Sequence, residues 1–249
     1  MKPQILITND DGIHSDGMRF LAEALAQIGT VTIVAPDRER SAISRALSLY
    51  HPLRITQLEK GVHVLDGTPT DCVLVGAHFI LTRPPDLVVS GINRGWNLGE
   101  DTAYSGTVSA AIQGTLLKIP AMAISSIDYS EESFRRAARF AKKIGAEILS
   151  GKRLLKETTL SVNFPVGEPK GVRITRLGVR RYLTEILEKT DPRGRKYYWI
   201  GDGRPADRAE RGTDVWAVKH GYVSVTPLKL DWTDFDFLAR MKPIEWDGA

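Results

Sequence analysis

The order of the first three segments constrains this chain most. "QILITN" (residues 4–9) is an apolar run suited to a buried strand, and "TVTIVAP" (30–36) is a second, closed by a proline. Between them "DGMRFLAEALAQIG" sets Met18, Leu21, Leu25 and Ile28 at helical spacing, with Gly29 as a C-cap. Strand, helix, strand at this spacing is the βαβ unit of a parallel sheet. The alternation continues. "PTDCVLVGAHFI" (69–80) reads as a helix with Thr68 as N-cap and Pro69 in its first turn. "DLVVSGIN" (86–93) reads as a strand, "SGTVSAAIQGTLLK" (105–118) as a helix and "AMAIS" (121–125) as a strand. A further helix carries Phe134, Ala137, Ala141, Ile144 and Ile148 on one face, and Arg135, Arg136, Arg139, Lys142 and Lys143 on a solvated one. "TLSVNFP" (159–165) is the expected last strand of the main sheet.

After about residue 168 the texture changes. "GVRITRL" and "YLTEILEKTDPRGRKYYWI" alternate like antiparallel hairpins, turning at "DPRG". "DVWAVKHGYVSVTPL" (214–228) reads as a second hairpin around His220–Gly221, and "DWTDFDFLARM" as a short terminal helix. The expectation is one α/β domain over residues 1–249, with a core over 1–167 and a β-rich extension over 168–249. Tyr197, Tyr198 and Trp199 in that extension either meet another subunit or pack on their own domain.

A chain of 249 residues with 42% hydrophobic content suits a soluble globular protein. No apolar stretch approaches the roughly 18 residues that span a bilayer, and the start shows no leader-like core. Cys72 is the only cysteine, which excludes an internal disulfide and a cysteine-rich zinc site, so a cytoplasmic location is expected. The net charge of +4 suits an anionic substrate but is too diffuse for duplex nucleic acid.

The chemistry concentrates where strands end. "ILITNDDGI" places Asp10 beside Asp11, and such a pair is tolerated when solvated, when one is protonated, or when a cation lies between them. In a parallel sheet, ligands bind beyond the carboxyl ends of strands. There the chain offers Asn9, Asp10, Asp11 and Gly12, then Asp37, Arg38, Arg40, Ser41 and Ser44, then "SGINRGWNLGEDTAYSGT". Carboxylates with Ser and Asn oxygens suit a hard divalent cation such as Mg²⁺ or Mn²⁺. Ser105, Gly106 and Thr107 stand where a helix begins, and free N–H groups with two hydroxyls form an anion site. Gly106 permits a close approach of an oxygen. A metal beside an anion site points to phosphoryl chemistry, hydrolysis in its simplest version. Plainer readings stand beside these. The aspartates serve as a helix cap and a surface charge, Ser105 or Thr107 is only an N-cap, and "GTPTD" (67–71) only starts a helix. Among the histidines, only His14 falls near the site, while His51, His63, His78 and His220 read as packing or surface residues.

"ILITNDDGI", "VAPDRERSAIS", "GTPTDC", "PDLVVSGINRGWNLGEDTAYSGTVSAA" and "TDVWAVKHGYVSVTPL" together resemble the SurE family of stationary-phase survival proteins and 5′-nucleotidases. The resemblance runs in order along nearly the whole chain. It implies a Rossmann-like, mostly parallel sheet flanked by helices, with C-terminal hairpins that build homodimers or homotetramers. It implies a cytoplasmic, divalent-metal-dependent phosphatase acting on nucleoside monophosphates, with 3′-nucleotides and short polyphosphate as further substrates. By the same resemblance Asp10, Asp11, Ser41 and Asn93 hold one Mg²⁺ or Mn²⁺ per subunit. Asn97, Ser105, Gly106 and Thr107 face the phosphate. Two positions depart from the family pattern: Ala42 replaces a usual glycine, and Gln113 an acidic residue.

The expected reaction is attack by a metal-activated water, with Asp10 and Asp11 catalytic and Asp10 orienting or deprotonating that water. The chemical alternative is direct attack by Asp10 to give an aspartyl-phosphate. A different class of reading is a nucleotide-binding regulator without catalysis. A dinucleotide oxidoreductase fits poorly, because "NDDGIHSDG" stands where a glycine-rich loop would be needed.

Overall fold

The computed structural model describes residues 2–152, 155, 157–183, 185–201 and 203–242. β1 (Gln4–Thr8) leads through α1 (Asp16–Leu25) to β2 (Thr30–Pro36), the unit read from the periodicity. β3 (Ile55–Glu59) and β4 (Val62–Leu65) form a short antiparallel pair that was not expected, and every residue of β3 is exposed. α2 (Pro69–Val75) begins at a reciprocal cap. The Thr68 hydroxyl accepts from the Asp71 N–H, and the Asp71 carboxylate accepts from the Thr68 N–H, so "GTPTD" does start a helix. The helix then widens over Gly76–Ile80.

β5 (Leu87–Arg94), α3 (Gly106–Leu116), β6 (Ala121–Ser126), α4 (Glu131–Leu149) and β7 (Thr159–Phe164) follow as expected. β8 (Val172–Ile174) comes next. An arm of β9 (Val179–Leu183), β10 (Ile186–Thr190), β11 (Lys196–Ile200) and β12 (Arg204–Arg208) then projects from the sheet. The chain closes with α5 (Asp214–Lys219), β13 (Val223–Leu228) and α6 (Phe235–Leu238).

The sheet has nine strands in the order β3-β4-β2-β1-β5-β6-β7-β13-β8. From β4 across to β7 every pairing is parallel. Side chains alternate faces along a strand. Ile5 and Ile7 therefore pack with Phe20, Leu21 and Phe134 of α1 and α4, while Leu6 packs with Val73, Val108 and Ala111 of α2 and α3. The chain steps from β1 outward to β2, then returns to lay β5 on the other side of β1. That reversal opens a crevice beyond the carboxyl ends of β1 and β5, the usual ligand position in such sheets.

Three expectations for the C-terminal segment are corrected. β7 is not the last strand of the main sheet: β13 pairs antiparallel with it, from Ser224↔Asn163 to Leu228↔Thr159. All six residues of β7 are buried, a state that needs neighbours on both edges. "GVRITRL" is not part of a hairpin, because its β8 pairs parallel with β13. Residues 214–228 are not a hairpin but a helix followed by a strand. The Thr213 hydroxyl caps the Trp216 N–H at 3.2 Å, and Val215 and Val218, three apart on one helix face, cluster with Leu98.

The "DPRG" turn holds as expected. The Gly194 N–H donates to the Asp191 carbonyl at 3.0 Å, and the Asp191 carboxylate accepts from the N–H groups of Arg193 and Arg195. Tyr197, Tyr198 and Trp199 remain 40, 60 and 60% exposed, so this chain alone does not cover them. No helix among the described residues is long and apolar enough to cross a membrane.

Candidate active site

β1 delivers Asp10 and Asp11 to the crevice through a tight turn. Asn9 Nδ2 donates to the Gly12 carbonyl at 2.9 Å, and the Gly12 N–H donates back to Asn9 Oδ1 at 3.2 Å. The Arg40 N–H donates to the Asp10 carbonyl at 2.7 Å, which ties in the loop after β2. Ser15, not either aspartate, occupies the cap position of α1.

Asp10 is buried against the N-terminus of α3, where the Thr107 hydroxyl and N–H both donate to its carboxylate. Gly106 makes this contact possible. A Cβ there would lie 2.8 Å from Asp10 Cβ and 2.9 Å from Asp10 Oδ2. The oxygen that approaches Gly106 closely is thus one of the protein's own. Burial pushes the Asp10 carboxyl above its ordinary value, against the lowering effect of Thr107. Asp11 accepts from the Arg94 N–H at 3.2 Å, and its carboxyl is raised to about 6, first by burial and then by the charge of Asp10.

The other expected residues are held as firmly. Asn93 Nδ2 donates to the Gly95 carbonyl at 3.1 Å, which leaves its amide oxygen as the end suited to a cation. The Asn97 N–H donates to Asn163 Oδ1, Asn97 Nδ2 donates to Ser125 Oγ, and Asn163 Nδ2 donates to the Asn97 carbonyl, at 2.9, 2.9 and 3.2 Å. Asn163 and Ser125 escaped the sequence reading. Their one signal is polarity near the carboxyl ends of apolar strands. Ser105 Oγ accepts from the Val108 N–H at 3.1 Å and so caps α3, while its own hydroxyl hydrogen stays available for an anion. The cap and anion readings of Ser105 are compatible.

Ser41 is exposed and donates to Glu39 Oε1 at 2.6 Å. Ala42 beside it has φ +54°, in the left-handed region where glycine is at ease and alanine is strained. This is a physical reason for the family's glycine. Ala42→Gly is expected to be neutral within about 0.5 kcal/mol in urea denaturation, because relieved strain offsets the added freedom of the unfolded chain. A loss above about 1 kcal/mol would contradict the strain.

A cavity of about 430 Å³ is lined by Asp10, Ser41, Ala42, Asn93, Asn97 and Ser105, with Trp96, Tyr104 and Ile200 among its other lining residues. Asp11, Gly106 and Thr107 do not line it; Gly106 and Thr107 abut Asp10 from behind. His14 is exposed and outside it, and Gln113 is buried on α3. Among the described residues no three His, Cys, Asp or Glu side chains cluster as a metal site. The donors expected from the sequence, Asp10, Asp11, Ser41 and Asn93, would offer oxygen atoms only. Two neighbouring carboxylates, both raised by burial, are what a hard divalent cation would relieve, so the residues fit such an ion.

A mostly parallel sheet with a cavity at the reversal of strand order defines a Rossmann-like α/β protein with a small-molecule site. The family model described as Survival protein SurE matches residues 5–184. A protein named 5′-nucleotidase SurE from Geobacter sulfurreducens is 52% identical, over 98% of this chain and 93% of its own. Another of that name, from Syntrophotalea carbinolica, is 51% identical over 93% of each. The crystal structure of the SurE protein from Aquifex aeolicus superposes with a TM-score of 0.83 at 41% identity, over 96% of this chain and 98% of that one. This chain belongs to the SurE family.

Proposed function

We propose that this chain is a divalent-metal-dependent 5′-nucleotidase that hydrolyses nucleoside monophosphates to nucleoside and phosphate. One observation carries the reading: a buried carboxylate, Asp10, stands in one cavity with Ser105, at the N-terminus of α3, and with Asn97. The relatives' printed names support it.

Asp10, Asp11, Ser41 and Asn93 would hold Mg²⁺ or Mn²⁺. Such an ion supplies Lewis acidity toward the phosphate and lowers the pKa of a water. The chain's own residues do the rest. The Ser105 hydroxyl and the second hydrogen of Asn97 Nδ2 bind the phosphate oxygens and meet the charge that grows on them. Asp10, fixed by Thr107, accepts a hydrogen bond from the attacking water and aligns it with phosphorus. The new P–O bond forms as the bond to the nucleoside O5′ breaks; the proton that the water gives up passes through the Asp10 carboxylate to O5′, which leaves as the alcohol.

The same reading extends to 3′-nucleotides and short polyphosphate, and to a cytoplasmic homodimer or homotetramer whose contacts use the exposed aromatic residues of the arm. Phosphate release from AMP and GMP should be abolished by a chelator and restored by Mn²⁺ in excess. No release at saturating Mn²⁺ would overturn the assignment.

A further inference from the structure

We propose that Asp71, outside the cavity, is a positioning residue for the proposed metal centre: through Ser48 it fastens the loop that carries Ser41, and so sets the affinity for the divalent ion. This rests on the metal-dependent reading above. The motif "GTPTD" holds more than the start of α2. In the capping box the Asp71 carboxylate has only to accept from the Thr68 N–H, at 2.9 Å. Here the same buried carboxylate also accepts from Ser48, in the loop after β2. The Ser48 N–H donates to Oδ1 at 3.1 Å and its hydroxyl to Oδ2 at 2.7 Å. The Thr68 hydroxyl, the other half of the box, donates to the Ala46 carbonyl at 2.8 Å. Gly67 gives the carboxylate its room, because a Cβ there would lie 2.9 Å from Asp71 Oδ2. Both halves of the cap are turned toward one loop.

That loop depends on support from outside. Residues 37–54 contain no helix or strand. Connections beyond about 12–15 residues without structure of their own are uncommon, and most of them serve a function. Leu47, Leu49 and Tyr50 are 43, 72 and 98% exposed, so packing does little to hold the stretch around Ser48. The backbone is also bent against preference, with φ +54° at both Ala42 and Ser44. Such a conformation persists only where the surroundings impose it.

Hydrogen bonds on either side of the bend impose it. Upstream, the Arg40 N–H is engaged by the Asp10 carbonyl. Downstream, Ser44 donates from its N–H to the Tyr104 carbonyl at 2.9 Å and from its hydroxyl to the Ala103 carbonyl at 2.7 Å. Beyond Ser44, Ala46 and Ser48 are fastened to the start of α2 by Thr68 and Asp71. Ser41 lies inside this span and lines the cavity, whereas Ser48 and Asp71 do not. Asp71 therefore acts at a distance. With the far fastening released, the bent segment relaxes and Ser41 is no longer presented to the ion.

The test is Mn²⁺ affinity, read without turnover from the free-ion signal in electron paramagnetic resonance, well below the melting temperature. Asp71→Asn should weaken binding about tenfold, the low end of the loss when an outer partner of a metal ligand is removed. Ser48→Ala leaves the capping box intact and should weaken it at least about threefold. Ser48→Thr keeps the hydroxyl and should stay within about twofold of the wild type. At saturating Mn²⁺ the kcat of Asp71→Asn should return to within about twofold, because its carboxylate touches neither ion nor substrate. A carboxylate that only starts α2 would lower the melting temperature of Asp71→Asn and leave Mn²⁺ affinity unchanged in both Asp71→Asn and Ser48→Ala. That result overturns the proposal, and with hydrolysis intact it overturns the proposal alone. A wild type that binds Mn²⁺ more tightly than these two variants yet releases no phosphate would support the fastening and sink the nucleotidase reading alone. A wild type that binds no Mn²⁺ overturns both.

Discussion

Asp11→Asn lowers phosphate release from AMP by about a thousandfold and at the same time raises the melting temperature of the metal-free protein at pH 7 by about 5 °C. Two opposite effects of one carboxylate produce this result. In the loaded enzyme Asp11 is a proposed metal ligand, and an amide in its place donates no charge to a divalent ion. Without metal, the same charge is a burden. Burial and the neighbouring Asp10 raise the Asp11 carboxyl from 3.8 to about 6 in the folded protein. A raised folded-state pKa means that the native state holds the proton more tightly than the unfolded chain. The stability contributed by protonation is therefore complete below about pH 3.8 and is lost as pH rises through about 6. Above that window the ionised group costs the metal-free fold up to about 3 kcal/mol, and asparagine does not. Thermal melts from pH 4 to 8 in chelator check the prediction. The wild type should lose stability across the window, and the variant should follow a flatter line. Excess Mn²⁺ should stabilise the wild type far more than the variant. A variant that melts no higher than the wild type at pH 7 and keeps Mn²⁺-dependent turnover contradicts both the ligand role and the electrostatics.

What the sequence disclosed follows from the range of each interaction. The β1–α1–β2 unit was legible because its signal is local: apolar runs of strand length around a helix-period segment. Residues 214–228 were misread because "DVWAVK" satisfies two periods. Alternate apolar residues suggest a strand, while Val215 and Val218 suggest a helix, and only the packing on Leu98 decides. The pairing of β13 with β7 joins residues about sixty positions apart and has no local trace. The site shows the same division. The aspartate pair and the start of α3 were visible as residue types at strand and helix ends. The occupant of the Thr107 hydroxyl was not. That hydroxyl is engaged by Asp10, 97 positions away, and so acts on the carboxylate. The hold of Asn163 on Asn97 across 66 positions was equally silent.

Gly106→Ala is expected to cut turnover about a hundredfold, because it strikes the carboxylate on which the proposed chemistry turns. The added methyl would sit 2.8 Å from Asp10 Cβ and 2.9 Å from Oδ2, closer than a carbon tolerates. Neither side can yield freely. The Asp10 carbonyl is engaged by the Arg40 N–H, and its carboxylate by Thr107. α3 is buried along most of its length, with Val108, Ala110 and Ala111 in the core. Overpacking of this kind costs about 1–3 kcal/mol, while the better helix propensity of alanine returns less than about 1 kcal/mol. The sharpest measurement is a double-mutant cycle in urea. In an Asp10→Ala background most of the obstructing side chain is gone, so adding Gly106→Ala should cost at least about 1 kcal/mol less than it does alone. Equal costs in the two backgrounds would mean that Gly106 serves the helix and not the carboxylate. A coupling of the expected sign would establish that the glycine is there to let an acidic side chain lie against the start of α3, where Thr107 holds it.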